Sequence, residues 1–178
     1  RFTLGPTVAA RKAAIEAVGG WGAFRDYLAE DFVLGQRVSE AGWHSILSRA
    51  VVEHRIGSEA LGQNFAHRLR WNRSTRRSRP AGYVGQVFTN PLPLFLLAWP
   101  AAGWTPGFLA AGLLLRYTVG FATAQGVVGA AWRPGDLWKL LLQDLLSFGF
   151  WVAGFFGNEI EWRGRRYELK ADGTFAPK

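Results

Sequence analysis

The stretch "HRLRWNRSTRRSRP", residues 67–80, gathers six arginines (Arg68, Arg70, Arg73, Arg76, Arg77, Arg79) and one tryptophan without a single acidic residue. It stands directly before a long apolar region, and that junction decides how the chain is read. From about Glu59 to Arg79 the spacing predicts a helix capped by Ser58, with Leu61, Phe65 and Leu69 on one stripe and arginines over most of the rest. Such a helix suits a membrane surface. Its arginines would lie among lipid phosphates, the stripe would face the acyl boundary, and Pro80 would end it where the chain turns into the bilayer. A nucleic-acid patch is the rival reading of so many arginines, but it leaves the apolar region unexplained, so no nucleic-acid partner is expected.

From Pro80 to Gly135 there are only two charges, Arg116 and Arg133. Two membrane segments are predicted there, Tyr83 to Trp104 and Gly107 to Ala131, each near the roughly 20 residues that cross a hydrocarbon core. Trp99, Trp104 and Trp132 fall near their ends, where aromatic belts form, and Arg116 is expected to pack against another helix or line a cavity. A third segment, "LWKLLLQDLLSFGFWVAGFFG" from Leu137 to Gly157, is interrupted by Lys139, Gln143 and Asp144 and reads as interfacial or re-entrant. Asp144 is costly to bury in such a run, and Arg116 is its candidate partner. The basic stretches around residues 67–80, Arg133/Lys139 and the tail Arg163/Arg165/Arg166/Lys170 should all face the cytoplasm, which two full crossings satisfy.

Whole-chain composition agrees with a membrane-embedded portion: 178 residues, 49% hydrophobic, nine tryptophans and a net charge of +8. The absence of cysteine excludes disulfides, a thiolate nucleophile and Cys-ligated metal. His44, His54 and His67 lack metal-ligand spacing. The chain starts at Arg1 and contains no methionine, so it is expected to be a piece of a longer protein.

Ahead of the arginines, "TVAARKAAIEAVGG" predicts a helix with Thr7 as N-cap, Val8, Ile15 and Val18 on one side, a Lys12/Glu16 pair and Gly19-Gly20 as the stop. A second helix is predicted from Asp31 through "FVLGQRVSEAG", with Leu34, Val38 and Ala41 sharing a face and Gly42 ending it. "WHSILSRAVVEH", residues 43–54, suits one or two buried strands.

Two groups carry candidate chemistry. Glu30 and Asp31 stand together at a helix start, where Asp is a favoured N-cap and acids are stabilised by the helix dipole. The same position suits a general base, because a carboxylate at an element's end is held in one orientation while it faces a pocket. In "HRLRW", helical geometry sets His67, Arg70 and Trp71 side by side at i, i+3 and i+4. Such a face offers a cation for a phosphate leaving group and an indole for a sugar or lipid acceptor, or else a belt tryptophan on a surface helix.

In order and spacing, "GGW" (19–21), "YLAEDFVLGQRVSEAG" (27–42), "HRLRWNRSTRRSRPAGYVG" (67–85), "QDLLSFGFWVAGFFG" (143–157) and "EWRGRRYEL" (161–169) resemble the carboxy-terminal half of the ceramide glucosyltransferase family, glycosyltransferase family 21. The resemblance implies a membrane-bound inverting enzyme that moves a sugar from a UDP-sugar to a lipid hydroxyl. Asp31 matches the family's catalytic base, with Glu30 beside it as a substrate-binding residue. Arg70 and Trp71 match the last two letters of the (Gln/Arg)-x-x-Arg-Trp motif beside the diphosphate and the acceptor. His67 takes the first letter, where Gln or Arg is usual, and a neutral imidazole brings no fixed charge. The aspartates that hold UDP and a divalent metal, Mg or Mn, have no counterpart here, since no Asp-x-Asp occurs. The nucleotide-binding half is therefore expected upstream, and these residues alone are expected to be inactive.

The fold expected is an α/β, GT-A-like glycosyltransferase fragment (1–57), an interfacial amphipathic helix (58–80), membrane helices (81–157) and a basic cytoplasmic tail (158–178). Donor, lipid acceptor and membrane lipids are the expected partners, and a multi-pass bacterial inner-membrane location is the expected setting. A non-catalytic anchor or scaffold whose basic helix binds acidic lipid is the alternative.

Overall fold

A computed structural model of the chain describes residues 3, 5, 7–50, 52, 60–129, 133–162 and 164–178. It divides into two compact units, one of Arg1–Ala81 with Gly154–Lys178 and the other of Gly82–Ala153.

In the first unit, α1 (Lys12–Ala17) is shorter than its pattern predicts. Thr7 does not cap it. Arg11 is the extended N-cap residue, and Val8 packs on the core from the strand-like segment before it. Gly19 and Gly20, with φ of +94° and +73°, end the helix in a conformation that side chains resist. The Lys12–Glu16 pair forms at 3.6 Å but is exposed and contributes little. Helix α2 (Glu30–Glu40) turns Leu34 and Val38 onto Ala14, Ile15 and Phe24, and each large side chain buried there contributes about 1.5–3 kcal/mol. Ala41, expected on that face, is exposed beyond the helix end, and Gly42 at φ +87° ends the run. Arg37 lies over the Phe24 and Tyr27 rings and donates to the Tyr27 hydroxyl at 3.0 Å.

The strands predicted over 43–54 do not form within the described residues 43–50, where Ile46 is 88% exposed. Ser48 accepts from the Ala50 amide at 3.0 Å, a local bond that favours a turn over a ladder. His54 and the expected cap Ser58 lie outside the described residues.

Helix α3 (Leu61–Ser78) follows, with its faces used differently from the surface-helix expectation. Ala66, Arg70, Arg73 and Arg77, spaced 4, 3 and 4 apart, occupy one face, and the helix packs against the tail. Leu61 and Phe65 are exposed. Three arginines expected among lipid phosphates instead bind protein. Arg73 donates to the Phe156 carbonyl at 3.1 Å and to that of Glu159; Arg76 donates to the carbonyls of Phe155 and Gly157 and to Asn158 Oδ1; Arg77 shares Asn158 Oδ1 at 2.5 Å. The carbonyls of Phe155, Phe156 and Gly157 belong to chain leaving a helix at Gly154, where no intrahelical donor remains for them.

The segment expected as a basic cytoplasmic tail is a three-stranded antiparallel sheet, β1 (Glu159–Trp162), β2 (Arg165–Leu169) and β3 (Phe175–Pro177) in that order. Ile160 and Leu169 are buried beneath it, and Trp162, Tyr167 and Phe175 meet as an aromatic cluster. Thr174 bridges to Tyr27, and the Phe175 amide donates to the Asp26 carbonyl at 3.0 Å. The tail is therefore fixed to both α3 and the segment that leads into α2.

In the second unit, the first predicted crossing is not one helix. Tyr83–Trp104 runs through α4 (Pro80–Gly85), a 3-10 turn (Gln86–Thr89), a break at Asn90, α5 (Pro91–Ala98) and a second 3-10 turn (Pro100–Ala102). Pro91 starts α5 because it cannot continue a helix from Asn90, and eight residues reach only about 12 Å. The second predicted segment is helical through most of its length. Helix α6 (Pro106–Thr123), prolonged by a π turn, gives a 22-residue run, Pro106–Val127, long and apolar enough to span a membrane. Helix α7 (Leu137–Gly154) covers the third segment without a break. Phe95 of α5 lies over Gly112 of α6, and Tyr83 and Trp151 exchange hydrogen bonds of 2.6 and 2.8 Å through each other's carbonyls. Trp99 and Trp104 pack edge-on at the α5–α6 corner, and Trp132 lies outside the described residues.

Candidate active site

Asp31 is held by both neighbours and position. It occupies the first turn of α2 after Ala29, the N-cap residue, so the acid stabilises the helix end by charge instead of capping it. Its Oδ1 accepts the Phe32 amide at 2.8 Å, and its backbone carbonyl accepts the Thr3 hydroxyl. Oδ2 accepts no hydrogen bond among the described residues. It faces Gly5, where a Cβ would stand 3.0 Å away, so the glycine leaves that oxygen its room. A half-buried carboxylate with one fixed and one free oxygen is equipped to accept a proton.

Glu30 is exposed on the same turn and acts electrostatically on Arg70 of α3. Burial lowers the Arg70 pKa and the Glu30 charge partly offsets that, so the guanidinium is a half-buried cation that Glu30 helps to keep charged. It makes no hydrogen bond or ion pair among the described residues. Arg70 lines a recess of about 200 Å³ with Leu69 and Arg73 from α3 and Glu159, Glu161 and Arg166 from the tail sheet.

The predicted triplet of α3 is therefore divided. His67 and Trp71 do meet, edge to face, with ring centres 4.4 Å apart, and half of Trp71 stays exposed. Arg70 lies in the recess, whose lining includes neither of them. Arg166 is the residue that sequence reasoning missed. Its strand alternation in "EWRGRRYEL" was available as a signal, but the pattern could not say which helix the strand would cover.

No three His, Asp or Glu side chains converge as metal ligands among the described residues.

The chain belongs to glycosyl transferase family 21, whose sequence profile matches residues 1–175. It is thus a glycosyltransferase, with a sugar donor and an acceptor as its partners, and with Pro106–Val127 it is membrane-associated. No solved structure matches it.

Proposed function

We propose that this chain is the acceptor-side part of a lipid glycosyltransferase, moving a sugar from a UDP-sugar to a lipid hydroxyl with inversion. Asp31 Oδ2 takes the hydroxyl proton as the lipid oxygen attacks the anomeric carbon. The bond from that carbon to the β-phosphate oxygen breaks, its electron pair leaves with UDP, and Arg70 answers the charge that develops. Trp71, steadied by His67, gives the acceptor an apolar wall, and Glu30 keeps Arg70 charged. The observation that carries this reading is the presence within one compact unit of an uncommitted carboxylate oxygen on α2 and an uncommitted, half-buried guanidinium on α3.

In this reading residues 1–57 complete a GT-A-like α/β catalytic domain. The donor's divalent metal, Mg or Mn, is held by aspartates outside these residues, and the 178 residues alone transfer no sugar. The setting is a bacterial inner membrane crossed more than once, with the site on the cytoplasmic side. Lipid mass spectrometry of cells making the full protein tests the proposal. A new hexosyl lipid is expected; an unchanged lipid profile with the protein present in the membrane would leave only the anchor reading.

A further inference from the structure

The recess on α3 is half helix and half tail. Of its cations, Arg73 is committed to the carbonyls of Phe156 and Glu159. The Glu159 carboxylate is committed to Lys178. Arg70 and Arg166 are different: among the described residues neither guanidinium closes a hydrogen bond or ion pair. Glu161 stands opposite Arg166 in the β1–β2 register without a bond to it. Three guanidinium groups against two carboxylates leave the recess net positive, and its free donors come from two separate elements. At about 200 Å³ it is smaller than the roughly 300–1,000 Å³ that holds a whole small-molecule ligand, so it fits the charged end of one.

We propose that Arg166 joins Arg70 in binding the diphosphate of the sugar donor, which makes the tail sheet the part of the active site that recognises the leaving group. The inference rests on the transfer reading above. When the anomeric carbon–oxygen bond breaks, the β-phosphate oxygen keeps the electron pair and gains a negative charge, while the acceptor proton goes to Asp31. Two guanidinium forks from opposite walls match a diphosphate's oxygens better than one. The bridge from Thr174 to Tyr27 holds the same sheet to the chain that leads into α2, so the leaving-group wall and the base share one support.

The test measures sugar incorporation into lipid by the full chain in membranes, with UDP-glucose as donor and UDP as product inhibitor. Arg166→Ala is expected to weaken UDP inhibition and raise the donor KM by about tenfold or more, with the lipid KM unchanged. Arg166→Lys, which restores a point charge without the fork, should recover part of the loss. Arg166→Gln keeps the stem on β2 and carries the same test should the alanine variant not accumulate. Arg70→Ala is measured alongside. If Arg70→Ala weakens UDP inhibition while both neutral Arg166 variants stay within twofold of the parent, the inference is overturned and the transfer reading stands. If neither position matters, both fall. A phosphate site for lipid headgroups would instead show as weaker binding to phosphatidylglycerol vesicles with UDP inhibition unchanged, and that result also overturns the proposal.

Discussion

Arg116 and Asp144 form a two-armed ion pair between α6 and α7: Nε donates to Oδ2 at 2.7 Å and Nη2 to Oδ1 at 2.8 Å, with the side chains only 13% and 3% exposed. Each stands near the middle of its 18-residue helix, so the pair fixes the two helices' register at that level. Asp144 is also the charge that breaks the apolar run of α7, and the other, Lys139, is bound to Asp136 at 2.5 Å. Two of the three interruptions that make α7 look interfacial from sequence, Asp144 and Lys139, are thus paired within the fold.

Removing one partner strands the other. Asp144→Ala or Arg116→Ala is expected to destabilise the Gly82–Ala153 unit by about 3–5 kcal/mol, whereas the double replacement by leucine should recover most of that loss. Thermal unfolding of the detergent-solubilised protein checks this, and equal melting of single and double variants would contradict it.

Gly112 leaves the space that the Phe95 ring fills, with ring carbons 2.7 and 2.8 Å from where a Cβ would stand. Gly112→Ala must push the ring away and is expected to cost about 1–3 kcal/mol, read by the same melts. Joint replacement with Phe95→Leu, which removes the ring, should lose less than Gly112→Ala alone.

Arg76 holds the carbonyls of Phe155 and Gly157 and the side chain of Asn158. Its loss leaves those acceptors without their donor, at about 1–3 kcal/mol for each one that stays buried. Arg76→Ala should therefore expose Phe155 and Phe156 to chymotrypsin, and unchanged cleavage there would remove the arginine clamp from the account.

Much of this was legible in the sequence wherever a residue's surroundings are set by its own neighbours. Leu34 and Val38 declare the buried face of α2, and Arg116 and Asp144 are lone charges in apolar runs, which must find each other or water. What failed depended on distant chain. Hydropathy over Tyr83–Trp104 counts apolar residues but does not register that Asn90-Pro91 breaks the helix. Among the described residues, no strand pairs with the apolar letters of 43–50. Arginines at 73, 76 and 77 read as lipid-binding because the carbonyls they serve lie some 80 residues further on. At the site, family pattern singled out Asp31 and Arg70, and folding alone brought Arg166 to the recess that Arg70 lines.

His67 meets the Trp71 ring at its edge, and glutamine, usual at this letter of the motif, has the length to cover the same edge, so neither its ring nor its charge is essential. His67→Gln should keep most of the activity of the full chain, while Trp71→Ala should raise the lipid KM by about tenfold or more. Initial rates against lipid concentration separate the two effects.

The base assignment is tested most directly by Asp31→Asn in the full chain, assayed for sugar transfer to lipid at matched protein levels in membranes. Asparagine preserves the size of the side chain and its bond to the Phe32 amide but cannot take the proton. Turnover is expected to fall by about 10²–10⁴-fold with membrane location unchanged. Turnover within about threefold of the parent, far short of what loss of a general base entails, would contradict the account.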